Sequence, residues 1–300
     1  MTARHPALWP GLALAAAGSI AFSGKAIIVK LAYRHGVDAV TLIMYRMLFA
    51  LPLFVGLAWW AGRGRPALTR RDLRVITGLG FCGYYLASFL DFAGLQYISA
   101  SLERLILYLN PTLVLGFGVL RFHQHVRARQ LAALAVSYAG VLLVFGHEVQ
   151  FSGRDTVLGA ALVFGSAVSY AVYLVYSGQE VRRLGALRLT GWATAVACGL
   201  CLLQFVLLRP LQAALVPAPV LWLSLLNATA CTFAPVLMVM MAIERVGATV
   251  TAQTGMIGPV ATILMGVLLL GEPLNAWIVA GTVLVLVGVW LLARARGTSS

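Results

Sequence analysis

The feature that most restricts the fold of this chain is a series of long apolar stretches separated by short polar connections. A helix of about 20 apolar residues crosses the hydrocarbon core of a bilayer and satisfies its own backbone hydrogen bonds there. Ten such spans are predicted, at residues 8–32, 39–60, 75–97, 101–120, 127–145, 156–178, 187–208, 219–243, 247–270 and 275–293. The sequence therefore predicts an all-α integral membrane protein with ten transmembrane helices.

The composition supports a lipid environment. Hydrophobic residues make up 61% of the 300 residues and charged residues only 10%, with a mean hydropathy of +0.92. A soluble protein of this length needs far more polar surface. The net charge of +13 does not indicate nucleic acid as a partner, because the basic residues form short clusters between spans instead of one patch. The lipid bilayer is the predicted partner.

The basic residues are unequally divided between the two sides of the ten-span arrangement. Most of them fall around residues 63–74, 121–129 and 182–188, and near the two ends of the chain, which all lie on one side. Cytoplasmic connections carry the excess of Lys and Arg. Both termini are therefore predicted to be cytoplasmic.

The two halves of the chain are similar when the sequence is shifted by 148 residues. Gly11 then aligns with Gly159, and Pro111 aligns with Pro259, so both prolines are predicted to bend equivalent helices. Because five spans are an odd number, the second half, 149–300, enters the membrane from the side opposite to the first half, 1–148. Two inverted five-helix repeats are predicted, and such repeats frame a central site and permit alternating access.

Several motifs fall at characteristic places in this duplication. The sequence AIERVGA at 242–248 joins the eighth and ninth spans, and LGEPL at 270–274 follows the ninth. Together with Pro259 and the five-plus-five layout, they resemble the drug/metabolite transporter superfamily and its ten-helix EamA-type family over essentially the whole length. The first half departs from the pattern, because it has FHQHV at 122–126 where the second half has LGEPL.

The resemblance implies a secondary transporter with a central cavity between the repeats. Members of the family often export amino acids or related metabolites, so export of amino acids across a bacterial inner membrane is expected. The partner is then a small-molecule substrate, and a monomer is expected.

Charged and polar residues inside the spans are candidates for the substrate site, because burial in lipid makes them costly. Lys25, Arg46 and Asp91 lie at one level, roughly 10 Å below the outer surface at 1.5 Å per helical residue. The predicted cavity residues are Lys25, Arg46, Tyr84, Ser88, Asp91, Tyr108, Tyr173 and Asn227, of which Tyr84, Ser88 and Asp91 share one face of the third helix.

Two interpretations of these charges stay open. In one, Arg46 or Lys25 binds a substrate carboxylate while Asp91 or a tyrosine hydroxyl accepts an ammonium group, as suits an amino acid. In the other, Lys25 and Asp91 form a structural or gating salt bridge, and the tyrosines are core aromatics.

Other functions have less support in the sequence. A phosphate-binding GxxxxGK[ST] loop is absent, so ions or solute gradients must drive any transport. No cofactor or metal is expected, since neither Cys198 with Cys201 nor His123 with His125 has further ligands nearby. Multidrug-type efflux of hydrophobic cations is an alternative. A membrane-embedded lipid-modifying enzyme is a more distant one, because the nine acidic residues are scattered singly.

Overall fold

The computed structural model describes residues 8–122 and 128–297, and within these ranges the chain is helical with no strand. Residues 123–127, where the first half has lost the closing motif and where the predicted fifth span starts, lie outside the described ranges. The described helices are α1 (Leu8–Tyr33), α2 (Ala39–Gly62), α3 (Arg70–Gly94), α4 (Ala100–Leu107 and Asn110–Phe122), α5 (Ala128–Gln150), α6 (Gly153–Leu184), α7 (Ala186–Leu208), α8 (Ala218–Gly247), α9 (248–254 and Ile257–Leu270) and α10 (Ala276–Gly297).

Eight of the helices in the described ranges are long and apolar enough to span a membrane in one piece. The other two, α4 and α9, are each divided into two pieces. Large apolar side chains are exposed on many helices, including those of Trp59, Trp222 and Leu268. Lipid solvates such a surface, whereas water does not. The predicted all-α membrane fold of ten helices is confirmed.

Local sequence decides where several helices begin and end. Thr69 and Asp72 form a capping box at the start of α3, in which each side chain accepts a hydrogen bond from the other residue's backbone N–H. Gly153 separates α5 from α6 with a φ of 53°, and Gly247 separates α8 from α9 with a φ of 82°. Glycine is favoured at both positions because it has no Cβ to clash in this conformation.

The helices connect at two opposite faces of the bundle. We call the face with the connections after α1, α3, α5, α7 and α9 the distal face, and the face with the remaining connections the proximal face. Asp38 and Arg209 form an ion pair at the distal face, between the connection after α1 and the one after α7. At the proximal face, Arg65 donates to the carbonyl of Leu184. Each face therefore has direct contacts between the first and second halves of the chain.

The closest helix pairs also join the two halves: α1 packs on α8, α2 on α7, α3 on α6, and α5 on α10. The first and third of these pairs are equivalent under the 148-residue shift. Gly140 and Gly281 lie where α5 crosses α10, and a Cβ on either would collide with the other helix. Small residues allow the two backbones to approach closely. The resulting van der Waals packing stabilises helix association in lipid, where there is no hydrophobic driving force between helices.

Irregular backbone occurs at matching places in the two halves. A π-helical segment at Phe81–Leu86 in α3 corresponds to one at Thr229–Phe233 in α8. The interruption of α4 between Leu107 and Asn110 corresponds to the interruption of α9 between Thr254 and Ile257. Each pair is separated by about the same 148 residues as the halves themselves, so the duplication preserved these local distortions.

Candidate functional site

Five ionisable side chains meet in the distal half of the bundle. Nζ of Lys25 on α1 is 2.5 Å from Oδ2 of Asp91 on α3 and 3.2 Å from Oε1 of Glu103 on α4. Arg46 on α2 is close enough to interact electrostatically with Asp91, and Arg104 on α4 with Glu103. We call Lys25, Arg46, Asp91, Glu103 and Arg104 the distal charge cluster. One ammonium group thus pairs with two carboxyl groups, next to two guanidinium groups.

Glu103 lies deeper than the sequence suggested. The sequence places it near the start of the fourth span, but in the structure its side chain is fully buried. The connection between α9 and α10 covers the start of α4, and Glu272 from that connection accepts hydrogen bonds from the backbone N–H groups of Ala100 and Ser101. A residue one turn further along α4 is therefore shielded from solvent.

Arg46 contacts the part of α8 that contains Asn227. Nε of Arg46 donates to Oγ1 of Thr232 at 3.2 Å, and Oγ1 of Thr232 donates to the carbonyl of Asn227 at 2.8 Å. The π-helical segment of α8 explains this contact, because its wider turn brings Thr232 over the carbonyl five residues earlier. The guanidinium group of Arg46 also lies 5.1 Å from the ring centroid of Phe92. Asn227 itself is buried, and its Oδ1 accepts no hydrogen bond from the described residues.

Pro111 and Pro259 lie in the first turn after the two helix interruptions. Proline has no N–H, so each one removes a hydrogen bond to the carbonyl four residues earlier. Side chains satisfy both carbonyls: Nδ2 of Asn110 donates to Leu107 at 2.7 Å, and the Tyr108 hydroxyl donates to Gly255 at 2.6 Å. Tyr108 therefore links the interruption of α4 to that of α9, across the boundary between the halves.

Tyr84 and Tyr173 form a second cluster, closer to the proximal face. Their hydroxyl oxygens are 3.0 Å apart, and their rings meet edge to face with centroids 5.0 Å apart. Tyr170 stacks on Tyr173 at 5.5 Å. Gly83 lets the Tyr173 ring lie against the backbone of α3, since a Cβ there would overlap the ring. We call Tyr84, Tyr170 and Tyr173 the tyrosine cluster.

The eight predicted cavity residues are therefore divided between different places. Lys25, Arg46 and Asp91 belong to the distal charge cluster, whereas Tyr84 and Tyr173 belong to the tyrosine cluster. Ser88 is half-buried on α3, between these two clusters along the helix. The remaining two, Tyr108 and Asn227, contact the interrupted and π-helical parts of α9 and α8.

A cavity of about 780 Å³ opens at the distal face. It is lined by residues at the ends of α1, α3, α5 and α9 and at the starts of α4 and α10, namely Lys30, Tyr33, Arg34, Tyr97, Ile98, Ser99, His147, Glu148, Leu270, Glu272, Pro273, Asn275 and Ile278. None of the eight predicted residues, all of which are described, lines it. The cavity is closer to the distal face than the distal charge cluster is, because its lining residue Lys30 is more than one helical turn beyond Lys25 on α1.

The two carboxylates of this cavity are not among the site residues predicted from the sequence. Glu148 binds the backbone N–H and the hydroxyl of Ser99, while Glu272 binds the next two N–H groups of α4. Carboxylates stabilise a helix N-terminus by hydrogen bonding and by the favourable field of the helix dipole. The LGEPL motif singles out Glu272, but only the packed structure shows that it reaches the other half of the chain.

Comparison with known proteins gives consistent matches. The model of the EamA-like transporter family matches this chain twice, at residues 9–146 and 157–294. The uncharacterised transporter YcbK of Bacillus subtilis is 30% identical over 86% of this chain and 84% of its own length. An uncharacterised transporter of Archaeoglobus fulgidus is 24% identical over 75% of this chain and 79% of its own.

Similarity extends to a plant protein and to a solved structure. A WAT1-related protein of Arabidopsis thaliana is 26% identical over 61% of both chains. One crystal structure, with 19% identity, superposes on 99% of this chain and 100% of its own with a TM-score of 0.65. That last match supports the fold alone.

Proposed function

The chain belongs to the EamA-like transporter family, and from this premise we propose that it is a secondary transporter that exports amino acids or closely related metabolites. The distal charge cluster is the observation that carries the substrate class. It offers guanidinium groups for a carboxylate and carboxyl groups for an ammonium group, all within the membrane-spanning part of the bundle. A solute with both groups is complementary to such a site.

The position of the cluster supports transport between the two halves. Its charged residues come from the first half, but Thr232 on α8, next to Arg46, and Gly258 on α9, next to Arg104, come from the second. A site shared by two halves changes its exposure when the halves move relative to each other. We therefore propose alternating access, with repeats bounded at 1–148 and 149–300.

The contacts at the two faces suggest which interactions change during the cycle. At the distal face the halves are joined by Asp38 with Arg209. At the proximal face Arg183 pairs with Asp72, and Arg188 donates to the carbonyl of Pro66 at 2.9 Å. Opening one face requires breaking the contacts at that face, while the contacts at the other face persist.

The orientation follows from the basic residues. We propose that the protein lies in a bacterial inner membrane with both termini in the cytoplasm, so that the distal face is periplasmic. The abundance of arginine at the proximal connections supports this orientation.

Flux into proteoliposomes tests the proposed function. Purified protein is reconstituted, and counterflow of a panel of labelled amino acids is measured with and without a pH gradient. We expect saturable flux of at least one amino acid above that of protein-free vesicles. The absence of flux for every amino acid, from protein that is monodisperse in detergent, would refute the proposal.

A further inference from the structure

The charges of the distal charge cluster do not balance. Three cationic side chains, Lys25, Arg46 and Arg104, meet only two carboxyl groups, those of Asp91 and Glu103. Lys25 forms ion pairs with both carboxyl groups, and neither guanidinium group forms an ion pair with any described residue. An uncompensated cation in a dry interior is strongly unfavourable. With all five groups ionised, the side chains of the cluster carry one positive charge in excess.

Arg46 has unused hydrogen-bonding capacity. Arg46 is buried, with 6% exposure, and among the described residues its guanidinium group donates one hydrogen bond, to Thr232. Nη1 has no hydrogen-bond partner among the described residues. Asp91 interacts with Arg46 electrostatically without forming an ion pair, and the other neighbours of Arg46 include Phe92 and the thiol groups of Cys198, Cys201 and Cys231, which accept hydrogen bonds poorly. A planar carboxylate is the ligand that this guanidinium group fits best.

Arg104 has a similar deficit on the other side of the cluster. Its Nη2 donates to Oγ of Ser23 at 3.1 Å, and its guanidinium group lies 5.4 Å from the ring centroid of Tyr108. Nε is buried and has no hydrogen-bond partner among the described residues. Both guanidinium groups thus have a donor to offer.

The carboxyl groups have complementary unused acceptors. Oδ1 of Asp91 and Oε2 of Glu103 are buried and accept no hydrogen bond from a nitrogen or hydroxyl donor of the described residues, and the two carboxyl groups lie close enough to interact with each other. A single ammonium group placed against these oxygens would satisfy them. The site therefore offers free donors on two guanidinium groups and free acceptors on one pair of carboxyl groups.

We propose that the transported solute is an acidic amino acid, with two carboxylates, one ammonium group and a net charge of −1. Its carboxylates bind Arg46 and Arg104, its ammonium group binds the free oxygens of Asp91 and Glu103, and the occupied site is then neutral. The proposal rests on the proposed transport function and narrows it. Arg46 is the specificity-determining residue, because it is the more deeply buried of the two guanidinium groups.

The test compares solutes of nearly equal size that differ in charge. Counterflow into proteoliposomes is measured for labelled L-glutamate, for its neutral isostere L-glutamine, and for L-lysine as a cation. We expect the flux of glutamate to exceed that of glutamine about tenfold or more, because the side-chain amide of glutamine leaves one of the two guanidinium groups without a carboxylate partner. This comparison uses only the wild-type protein and does not depend on the folding of a variant.

Variants of Arg46 then assign the selectivity to a residue. Arg46→Gln is expected to lower glutamate flux by roughly tenfold to a hundredfold and to remove the preference over glutamine. Arg46→Lys keeps the charge without the planar fork, so an intermediate effect is expected. Arg63→Gln removes an exposed arginine that stacks on Trp59, and it is expected to leave both fluxes unchanged.

The outcomes separate this inference from the proposed function. Faster flux of glutamine or lysine than of glutamate would overturn the acidic substrate and leave the transporter in place. An unchanged preference in Arg46→Gln would overturn the role of Arg46. If no amino acid in the broader panel moves, both proposals are wrong.

Discussion

The two halves of this chain share several backbone irregularities but not their buried charges. The π-helical segments of α3 and α8 and the interruptions of α4 and α9 recur 148 residues apart, as do the two matches to the family model. The charges do not recur. The positions 148 residues after Lys25, Arg46, Asp91, Glu103 and Arg104 are Tyr173, Thr194, Val239, Thr251 and Ala252.

The duplication therefore explains the shared backbone irregularities, whereas the charges of the distal charge cluster come from the first half alone. Irregular backbone is needed wherever two helices must bend, so both halves retain it. Buried charges are costly and are retained where a ligand or a partner compensates for them. The distal charge cluster and the tyrosine cluster are therefore a natural pair to compare by substitution.

The largest effect is expected for Lys25→Met in the distal charge cluster. This substitution leaves Asp91 and Glu103 buried without their ammonium partner, and breaking a buried ion pair from one side typically costs about 3–5 kcal/mol. We expect most of the protein to be lost as aggregate, measured by size-exclusion chromatography in detergent.

The matched control is Tyr173→Phe, which lies at the equivalent position of the second half. It removes only a hydroxyl and should remain monodisperse. A Lys25→Met protein that is as stable as Tyr173→Phe would show that the cluster is solvated, contrary to its burial here.

An intermediate effect is expected for Glu272→Ala at the distal face. The alanine removes the acceptor for two backbone N–H groups and for the Ser101 hydroxyl at the start of α4, which corresponds to a loss of about 1–2 kcal/mol. We expect a lower thermal unfolding midpoint in detergent, with Glu272→Gln between the alanine and the wild type.

The control for this prediction is Glu244→Ala, which removes an exposed carboxylate at the proximal end of α8. Equal midpoints for Glu272→Ala and Glu244→Ala would mean that the contact between the closing motif and α4 adds nothing to stability. The residue equivalent to Glu272 in the first half is Gln124, outside the described residues, so the comparison between halves here concerns sequence alone.

A smaller effect is expected in the tyrosine cluster. Tyr84→Phe and Tyr173→Phe each remove one hydroxyl of a hydrogen-bonded pair, which costs about 1 kcal/mol. The double variant should cost less than the sum, because both single variants break the same bond. Thermal unfolding of the three variants measures this coupling, and strict additivity would contradict the hydrogen bond.

The smallest effect is expected for Asp38→Asn at the start of α2. Partial burial tends to raise the pKa of Asp38, but hydrogen bonds from Thr41 and Val40 and the nearby Arg209 together hold this pKa below its usual value. The carboxylate therefore stabilises the fold above its unfolded pKa of about 3.9, and this contribution is lost as the pH falls through the lower folded pKa.

Asparagine is also a good helix cap, so only a few tenths of a kcal/mol are expected at neutral pH. Unfolding midpoints measured at pH 6 and at progressively lower pH should converge for Asp38→Asn and the wild type. A difference that grows on acidification would contradict the depressed pKa.

Part of the candidate site could be predicted from the sequence. Lys25, Arg46 and Asp91 were singled out because charge inside an apolar span is rare, and pairing of Lys25 with Asp91 was one of two open interpretations. The structure contains that ion pair, and it adds a second carboxyl group from Glu103. The burial of Glu103 is not predicted by the sequence, because it depends on the connection between α9 and α10 that covers the start of α4. The length of a span does not reveal such a contact.

Other parts of the site depend on contacts between the halves. Tyr84 and Tyr173 are separated by most of a repeat, and their hydrogen bond requires α3 to pack on α6. Glu272 caps the N-terminus of α4 only because the connection after α9 packs against the start of α4. The tyrosines and the charges were predicted as one cavity, and they occupy two clusters because side chains on one helix face can meet different neighbours at different depths.

The sequence by itself determined the environment, the class of fold, the approximate spans and the duplication, because these follow from hydropathy, helix length and the arrangement of prolines and glycines along the chain. Only the tertiary structure decided which charged groups meet, which carbonyls freed by proline are satisfied, and which donors remain unused. Those outcomes depend on the register and rotation of each helix against its neighbours in the other half. Apolar periodicity alone does not encode that register, since lipid accepts any rotation of an apolar helix.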